Sequence, residues 1–155
     1  MTDINFYVSK TEGLDHRIAI AYRLAQRALQ HKFKIYIHTD SEFTSKKVDN
    51  YFWNHEPASF IPHSIVDMNS VAPTQELIKQ KDDKDISLEI NISHEFEPLL
   101  QCDYLINLSN QQPNFFSRFL KVAEILDNNQ EIIAAGRKRY SFYRDRGYNL
   151  AYHQL

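Results

Sequence analysis

The sequence is poor in features on which exported and membrane proteins depend. Its 155 residues include one cysteine, Cys102, so a disulfide within the chain and a metal site built from several cysteines are excluded. A lone thiol is typical of a reducing cytoplasm. There is no run of 18 apolar residues, and no basic segment followed by an apolar one at Met1. We therefore expect neither a membrane span nor an export signal.

Glycine is also scarce, with three residues in the chain. A dinucleotide or P-loop protein needs several glycines in its first strand-to-helix turn, where backbone N–H groups approach a phosphate. Here that turn has the sequence Val8-Ser9-Lys10-Thr11-Glu12-Gly13, with a single glycine. The sequence predicts no nucleotide and no other cofactor.

Patterns typical of catalysis or metal binding are also missing. The seven histidines never fall into metal-ligand spacing, no serine lies in a nucleophile elbow, and Cys102 has no activating neighbour. Asp82, Asp83 and Asp85 alternate with lysine in a polar connector, which favours solvated side chains over a metal loop. The remaining catalytic hypothesis is an enzyme that uses His63, the histidine after Phe60-Ile61-Pro62. Against that hypothesis, we expect no catalytic site and no metal site.

The composition is that of a folded domain. Apolar residues make up 43% and aromatic residues 13%, which is enough for a real core, and residues 1–155 are predicted to form one domain. The net charge of -2 gives the whole molecule no strong attraction to nucleic acid or to an anionic membrane. Charge is uneven, however, with an acidic stretch at 82–103 and one strong basic cluster near the C-terminus.

Hydrophobic periodicity predicts alternating strands and helices. The predicted strands are 5–8, 34–38, 86–92, 103–108 and 119–126, and the predicted helices are 14–31, 41–54 and 128–146. The 86–92 strand alternates in polarity and should be half-buried; Asp40 should cap the second helix, whose Phe43 should face inward. Residues 115–126 fit a helix or a strand, and the turn signal at 127–129 favours a strand. The order β-α-β-α-β-β-β-α predicts a three-layer, Rossmann-like α/β domain with a mostly parallel sheet.

The basic cluster lies on the last helix, which Gly147 should end. Helical spacing places Ile133, Arg137, Tyr140 and Arg144 on one edge, beside an apolar face of Ile132, Gly136 and Tyr143. Guanidinium groups beside an aromatic ring suit a carboxylate carried next to a hydrophobic residue, such as the end of a peptide. Two alternatives remain open, which are a solvated basic helix and a helix that binds nucleic-acid phosphate.

Two stretches together resemble the chi subunit family of the bacterial DNA polymerase III holoenzyme. They are Trp53-x-x-Glu56-Pro57-x-Ser59-Phe60-Ile61-Pro62-His63 and Arg137-x-Arg139-Tyr140-x-x-Tyr143-Arg144-x-x-Gly147-Tyr148-Asn149-Leu150. The start of the chain and the segment 105–119 are similar too, so the resemblance spans nearly the whole chain.

The resemblance implies a cytoplasmic, non-catalytic subunit of the clamp-loader assembly in DNA replication. It implies two partners, which are the psi subunit and the C-terminal tail of single-stranded DNA-binding protein. It also implies pairing with a repair helicase through the psi-type surface. Contact with DNA would be mainly indirect, through these partners. By position, the tail would contact Arg137 and Tyr140, with Leu126 as an apolar wall, and psi would contact Trp53 and Phe60, with Pro62. Ile133 stands where a lysine can occur, so the predicted site has one cation fewer to set the affinity and placement of the tail, for which Lys138, Arg139 or Arg144 could compensate.

Overall fold

A computed structural model describes residues 2–54, 63–65, 90–94 and 103–155. The strands within these residues are β1 (Asp3–Val8), β2 (Ile35–His38), β3 (His63–Ile65), β4 (Ile90–Ser93), β5 (Tyr104–Asn107), β6 (Lys121–Leu126) and β7 (Asn149–Gln154). The helices are α1 (Leu14–Gln30), α2 (Glu42–Asn54) and α3 (Gln130–Asp145), with a short 3-10 helix at Phe116–Arg118. No helix in these residues is long and apolar enough to cross a membrane.

The strands form one sheet in the order β3-β4-β2-β5-β6-β1-β7. All six neighbouring pairs are parallel. Parallel neighbours need crossover connections, and the helices supply them on both faces. One core contains side chains of α1 and α2, and the other contains the buried Tyr143 of α3. The predicted three-layer α/β, Rossmann-like fold is confirmed.

The central strands and the first and last helices were predicted well because their apolar spacing is regular. The open choice for 115–126 is settled as a strand, β6, after the 3-10 helix. Helix α3 ends as expected: Gly147 has φ of +83°, and its N–H donates to the carbonyl of Arg144 over 3.0 Å. A left-handed residue at this position costs glycine little.

Three local predictions were wrong. Ser41, rather than Asp40, caps α2, since its Oγ accepts from the Thr44 N–H over 3.1 Å. Phe43 does not face inward but is 67% exposed, with the Lys47 amine 5.5 Å from its ring centre. The described part of the 86–92 strand, β4, is buried on both faces rather than one, because Asn91 and Ser93 are buried along with the two isoleucines. A strand inside a parallel sheet is covered on both sides.

Strands β3 and β7 were missed. The three-residue β3 is too short to show a period. The β7 segment follows a helix stop and carries Asn, His and Gln, so its sequence is weakly strand-like. The consequence for function is large, because β7 forms one edge of the sheet beside β1 and supplies a wall of the groove described next.

Candidate binding groove beside the C-terminal helix

Two capping interactions fix where α3 begins. The Asn129 side-chain oxygen accepts from the N–H groups of Glu131 and Ile132, at 2.9 and 3.2 Å. Asn129 N–H in turn donates to the buried carboxylate of Asp127 over 2.8 Å. The cap satisfies orphan donors at the helix start and ties the helix to the end of β6. The rotation of α3 about its axis is then set by what its inner edge meets.

The inner edge of α3 meets a buried carboxylate. Glu124 of β6 is 0% exposed, and its Oε1 accepts from Arg139 Nε at 3.0 Å and Asn107 Nδ2 at 2.8 Å. Its Oε2 accepts from the Tyr143 hydroxyl at 2.8 Å. Burial raises the pKa of the Glu124 carboxyl, and Arg139, Tyr143 and Asn107 oppose that shift. The pKa of Tyr143 is raised far above its ordinary value by burial and then by Glu124.

Arg139 therefore belongs to the interior. It is 4% exposed, and besides Glu124 it donates through Nη1 to the Asn110 carbonyl at 2.9 Å. The expectation that Arg139 could compensate for the missing lysine at position 133 was therefore wrong. Separating a buried guanidinium from its carboxylate partner would leave a buried charge unpaired, so Arg139 is not available to bind a ligand.

The outer edge of α3 borders an open groove of about 390 Å³. Its lining residues come from β1, β6, α3 and β7 and are Phe6, Leu126, Ile133, Gly136, Arg137, Tyr140, Ser141 and Tyr152. Phe6 and Leu126 are buried and give it an apolar floor, and the rings of Phe6 and Tyr140 lie 5.3 Å apart. Arg137 is exposed and is the sole cation among these lining residues. The groove thus places one guanidinium beside an aromatic and aliphatic surface.

The structure brings together four of the five residues predicted to bind a peptide tail. Arg137, Tyr140, Leu126 and Ile133 line the groove. Arg144 does not, being exposed with its Nε 3.4 Å from the carboxylate of its neighbour Asp145.

Three residues of the groove were not predicted from the sequence, namely Phe6, Ser141 and Tyr152. Tyr152 is 54% exposed and stands opposite Phe6 on the neighbouring strand. A signal existed in the alternation of Leu150 and Tyr152, two large residues on one face of a short strand. It could be used only once β7 was known to pair with β1.

Gly136 sets the distance between α3 and β6. A Cβ atom at this position would lie 2.5 Å from Cδ1 of Leu126, which is closer than any real contact. Glycine weakens a helix interior, so its presence here is explained by close packing of the helix against the strand. The same contact places the Leu126 side chain at the floor of the groove.

A carboxylate occupies the turn where a nucleotide-binding fold holds phosphate. Asp127 Oδ2, buried after β6, accepts from Gly13 N–H at 2.9 Å and from Arg17 Nε at 3.1 Å. Gly13 and Arg17 lie at the start of α1, directly after β1, and Arg17 also donates to the Leu108 carbonyl. The positive end of the helix dipole and the Gly13 N–H would attract an external anion, but both already interact with the carboxylate of Asp127.

Two of the three predicted psi-contact residues, Phe60 and Pro62, lie outside the described residues. Cys102 and the 82–85 acidic group also lie outside them. Trp53 is in the last turn of α2, and His63 begins β3, both described for their backbone. Within the described residues, no three His, Cys, Asp or Glu side chains converge as a metal would require.

Taken together, the fold and the groove define a parallel α/β domain whose candidate site is a groove beside a helix, with Leu126 at the carboxyl end of β6 in its floor. The chain belongs to the family described as the DNA polymerase III chi subunit, whose model matches residues 1–151.

Two relatives support the assignment. The DNA polymerase III subunit chi of Pseudomonas aeruginosa is 30% identical over 155 residues, covering 100% of this chain and 98% of the relative. The subunit chi of Haemophilus influenzae is 27% identical over 133 residues, covering 85% and 83%.

Two solved structures share the fold alone. Domain 2 of the DEAD-box helicase Mss116p, solved with an RNA duplex, aligns with a TM-score of 0.66 at 9% identity, covering 99% of this chain and 64% of that one. T4 UvsW aligns with a TM-score of 0.62 at 10% identity, covering 99% and 41%.

Proposed function

We propose that this chain is a non-catalytic accessory subunit of the DNA polymerase III clamp-loader assembly. In this role it bridges the psi subunit to the C-terminal tail of single-stranded DNA-binding protein during replication. The observation that carries the proposal is the groove beside α3, in which Arg137 and Tyr140 stand over an apolar floor. Family membership supplies the polymerase context.

The chemistry of the groove suits a peptide that ends in an aromatic residue with a free carboxylate. Arg137 can hold a carboxylate through two parallel N–H groups. Phe6, Leu126 and Tyr140 offer the apolar and aromatic surface that a terminal phenylalanine would cover. Ile133 adds apolar area in place of a possible second cation, so we expect affinity to depend strongly on Arg137.

The sheet order supports a bridging role. Trp53, the described residue of the proposed psi surface, lies in the last turn of α2, which contacts the edge strand β3. The proposed tail groove includes Tyr152 on β7, at the opposite edge. Two partners bound at opposite edges of one sheet would not collide, as a connecting subunit requires.

Absence of catalysis in this chain is also part of the proposal. The internal carboxylate of Asp127 satisfies the N–H of Gly13 and the charge of Arg17, so the β1–α1 turn offers no place for an added phosphate. Nucleic-acid binding by the basic helix is the weaker alternative, because Arg139 is buried and the guanidinium of Arg146 lies 4.2 Å from the centre of the Phe142 ring.

The test is titration calorimetry with a peptide ending Asp-Asp-Asp-Ile-Pro-Phe and with the same peptide lacking Phe. Binding should be lost with the shortened peptide, because both the ring and the position of the carboxylate change. Arg137→Ala should weaken binding of the full peptide by about 1.5–3 kcal/mol, the range for a charge-assisted hydrogen bond.

Lys138→Ala is the matched control, since Lys138 is the next residue on α3, is equally exposed and does not line the groove. Equal affinity of the wild-type chain and Arg137→Ala would remove the groove from the proposal. Equal affinity for both peptides would show that the terminal phenylalanine is not what the groove recognises.

A further inference from the structure

A second pocket lies on the opposite face of the sheet, between α1 and the β1–β7 edge. We call it the α1 pocket; it has a volume of about 250 Å³. Its lining residues are Tyr7, Ile20, Arg23, Leu24, Arg27, His153 and Leu155. None of these residues belongs to the groove beside α3, so the two sites can be altered separately.

The two arginines of the α1 pocket form no ion pair within the described part of the chain. Arg23 and Arg27 are both exposed and lie one turn apart on α1. Neither has a carboxylate three or four residues away in sequence. Like charges at this spacing destabilise a helix, so anions bound beside the two arginines would relieve that repulsion.

The pocket also has an aromatic wall. The rings of Tyr7 and His153 stack 4.7 Å apart and 15° from parallel. His153 is exposed on the edge strand, and its Nε2 lies 3.2 Å from the Asn5 side-chain oxygen, which fixes the ring. A held, partly exposed ring pair is the kind of surface on which a nucleobase stacks.

Further aromatic and basic side chains continue from the pocket. Phe33 is half-buried just after α1, where its N–H donates to the Ala28 carbonyl over 3.1 Å. Its ring centre is 6.5 Å from that of the buried Tyr104, and the exposed Lys121 amine lies 5.8 Å from the Phe33 centre. The two arginines, Lys121 and the rings of Tyr7, Phe33 and His153 come from five separate parts of the chain, so a linear reading sees only the basic C-terminal helix.

We propose that the α1 pocket and its continuation to Lys121 bind single-stranded nucleic acid. Arg23, Arg27 and Lys121 contact successive phosphates, and a base stacks at the Tyr7–His153 pair. The observations favour a nucleic-acid strand over an acidic peptide because the cations are spread along a surface with aromatic rings between them. A single carboxylate would need them to converge. The proposal is independent of the tail groove and goes beyond the bridging function.

The experiment is fluorescence anisotropy of a labelled thymidine oligonucleotide of about 20 nucleotides with the full chain, over a series of salt concentrations. Each phosphate contact on a single strand contributes about 0.7 to the slope of log K against log salt. The double variant Arg23→Glu/Arg27→Glu should lower that slope by about 1.4 and weaken binding at least tenfold, on the order expected for two lost contacts. His153→Ala should weaken it about fivefold or more, as for a lost base stack.

Lys46→Glu/Lys47→Glu is the matched control, because it changes the net charge equally on α2 side chains that are 67% and 40% exposed and do not line the α1 pocket. It should leave the slope unchanged. Equal loss in both double variants, or no binding by the wild-type chain at low salt, would overturn the proposal. The proposal would also be overturned if Arg23→Glu/Arg27→Glu bound the oligonucleotide normally but bound the Asp-Asp-Asp-Ile-Pro-Phe peptide more weakly. That result would assign the site to an acidic peptide.

Discussion

Helix α3 uses the same residue types on two edges for different purposes. On the inner edge, Arg139 and Tyr143 are buried and bonded to Glu124, so their polar groups hold the helix to β6. On the outer edge, Arg137 and Tyr140 border a groove, and Arg137 forms no ion pair within the described residues. The comparison shows that a basic and aromatic cluster divides according to what each side chain meets. A buried carboxylate opposite one edge makes that edge structural and leaves the other for a ligand.

The largest expected effect tests the inner edge. Arg139→Ala leaves Glu124 without its cation in a buried site, and the free energy of unfolding should fall by about 3–5 kcal/mol. Urea denaturation at neutral pH measures this. Lys138→Ala, on the exposed side of the same turn, should change it by less than about 0.5 kcal/mol.

A double variant sharpens that result. Glu124→Gln together with Arg139→Met removes both charges and keeps an acceptor for Tyr143, so much of the lost stability should return. If the single Arg139→Ala variant unfolds at the same urea concentration as the wild-type chain, the inner edge is not held by the ion pair.

The next effect concerns His38, which is half-buried and ends β2 on the sheet face that carries Glu124. Its Nδ1 atom is buried and has no hydrogen bond within the described residues. Burial lowers the pKa of His38 to about 4, with Asp40 opposing the shift and His94 adding to it. The unfolded chain, with an ordinary pKa of 6.5, binds a proton first as pH falls. Stability is therefore complete above that value and declines towards pH 4.

Lowering the pH from 7 to 5 should therefore reduce the free energy of unfolding by about 2 kcal/mol through protonation of His38 in the unfolded chain. Denaturant unfolding at both pH values measures the change, and His38→Gln should reduce it by that amount. His31→Gln, at an exposed histidine, serves as the control. An identical pH dependence in His38→Gln and the wild-type chain would show that His38 is not the group responsible.

The smallest effect on stability should come with a clear effect on binding. Gly136→Ala forces Leu126 to move, and the end of this side chain can turn into the groove. The gain in helix propensity offsets the crowding, so the free energy of unfolding should change by less than about 1 kcal/mol.

Affinity for the tail peptide should nevertheless fall by about tenfold, or roughly 1.4 kcal/mol, because the apolar floor is filled. Ala134→Gly, at an exposed position of α3, controls for helix propensity. Full peptide affinity in Gly136→Ala would mean that the ligand does not use the floor beside Leu126.

Local spacing was enough to predict the groove edge of α3. The interval from Ile133 to Arg137 to Tyr140 places these side chains together on any helix, and Gly147 ends that helix wherever it packs. The same spacing failed for Phe43, since periodicity gives a face but does not say which face meets the core. It failed for Arg144 too, which continues the edge beyond the end of the groove.

The sequence by itself determined the three helices, five of the strands, the absence of a glycine-rich loop and the residues that share a helix edge, because these depend on neighbours a few positions apart. The tertiary structure decided which cations are buried and which remain available. Glu124 selects Arg139 from a distant strand, and β7 returns from the end of the chain to lie beside β1. That pairing brings Tyr152 to the groove and His153 to the α1 pocket. Pairing between remote strands depends on how the whole sheet is assembled, which no local pattern records.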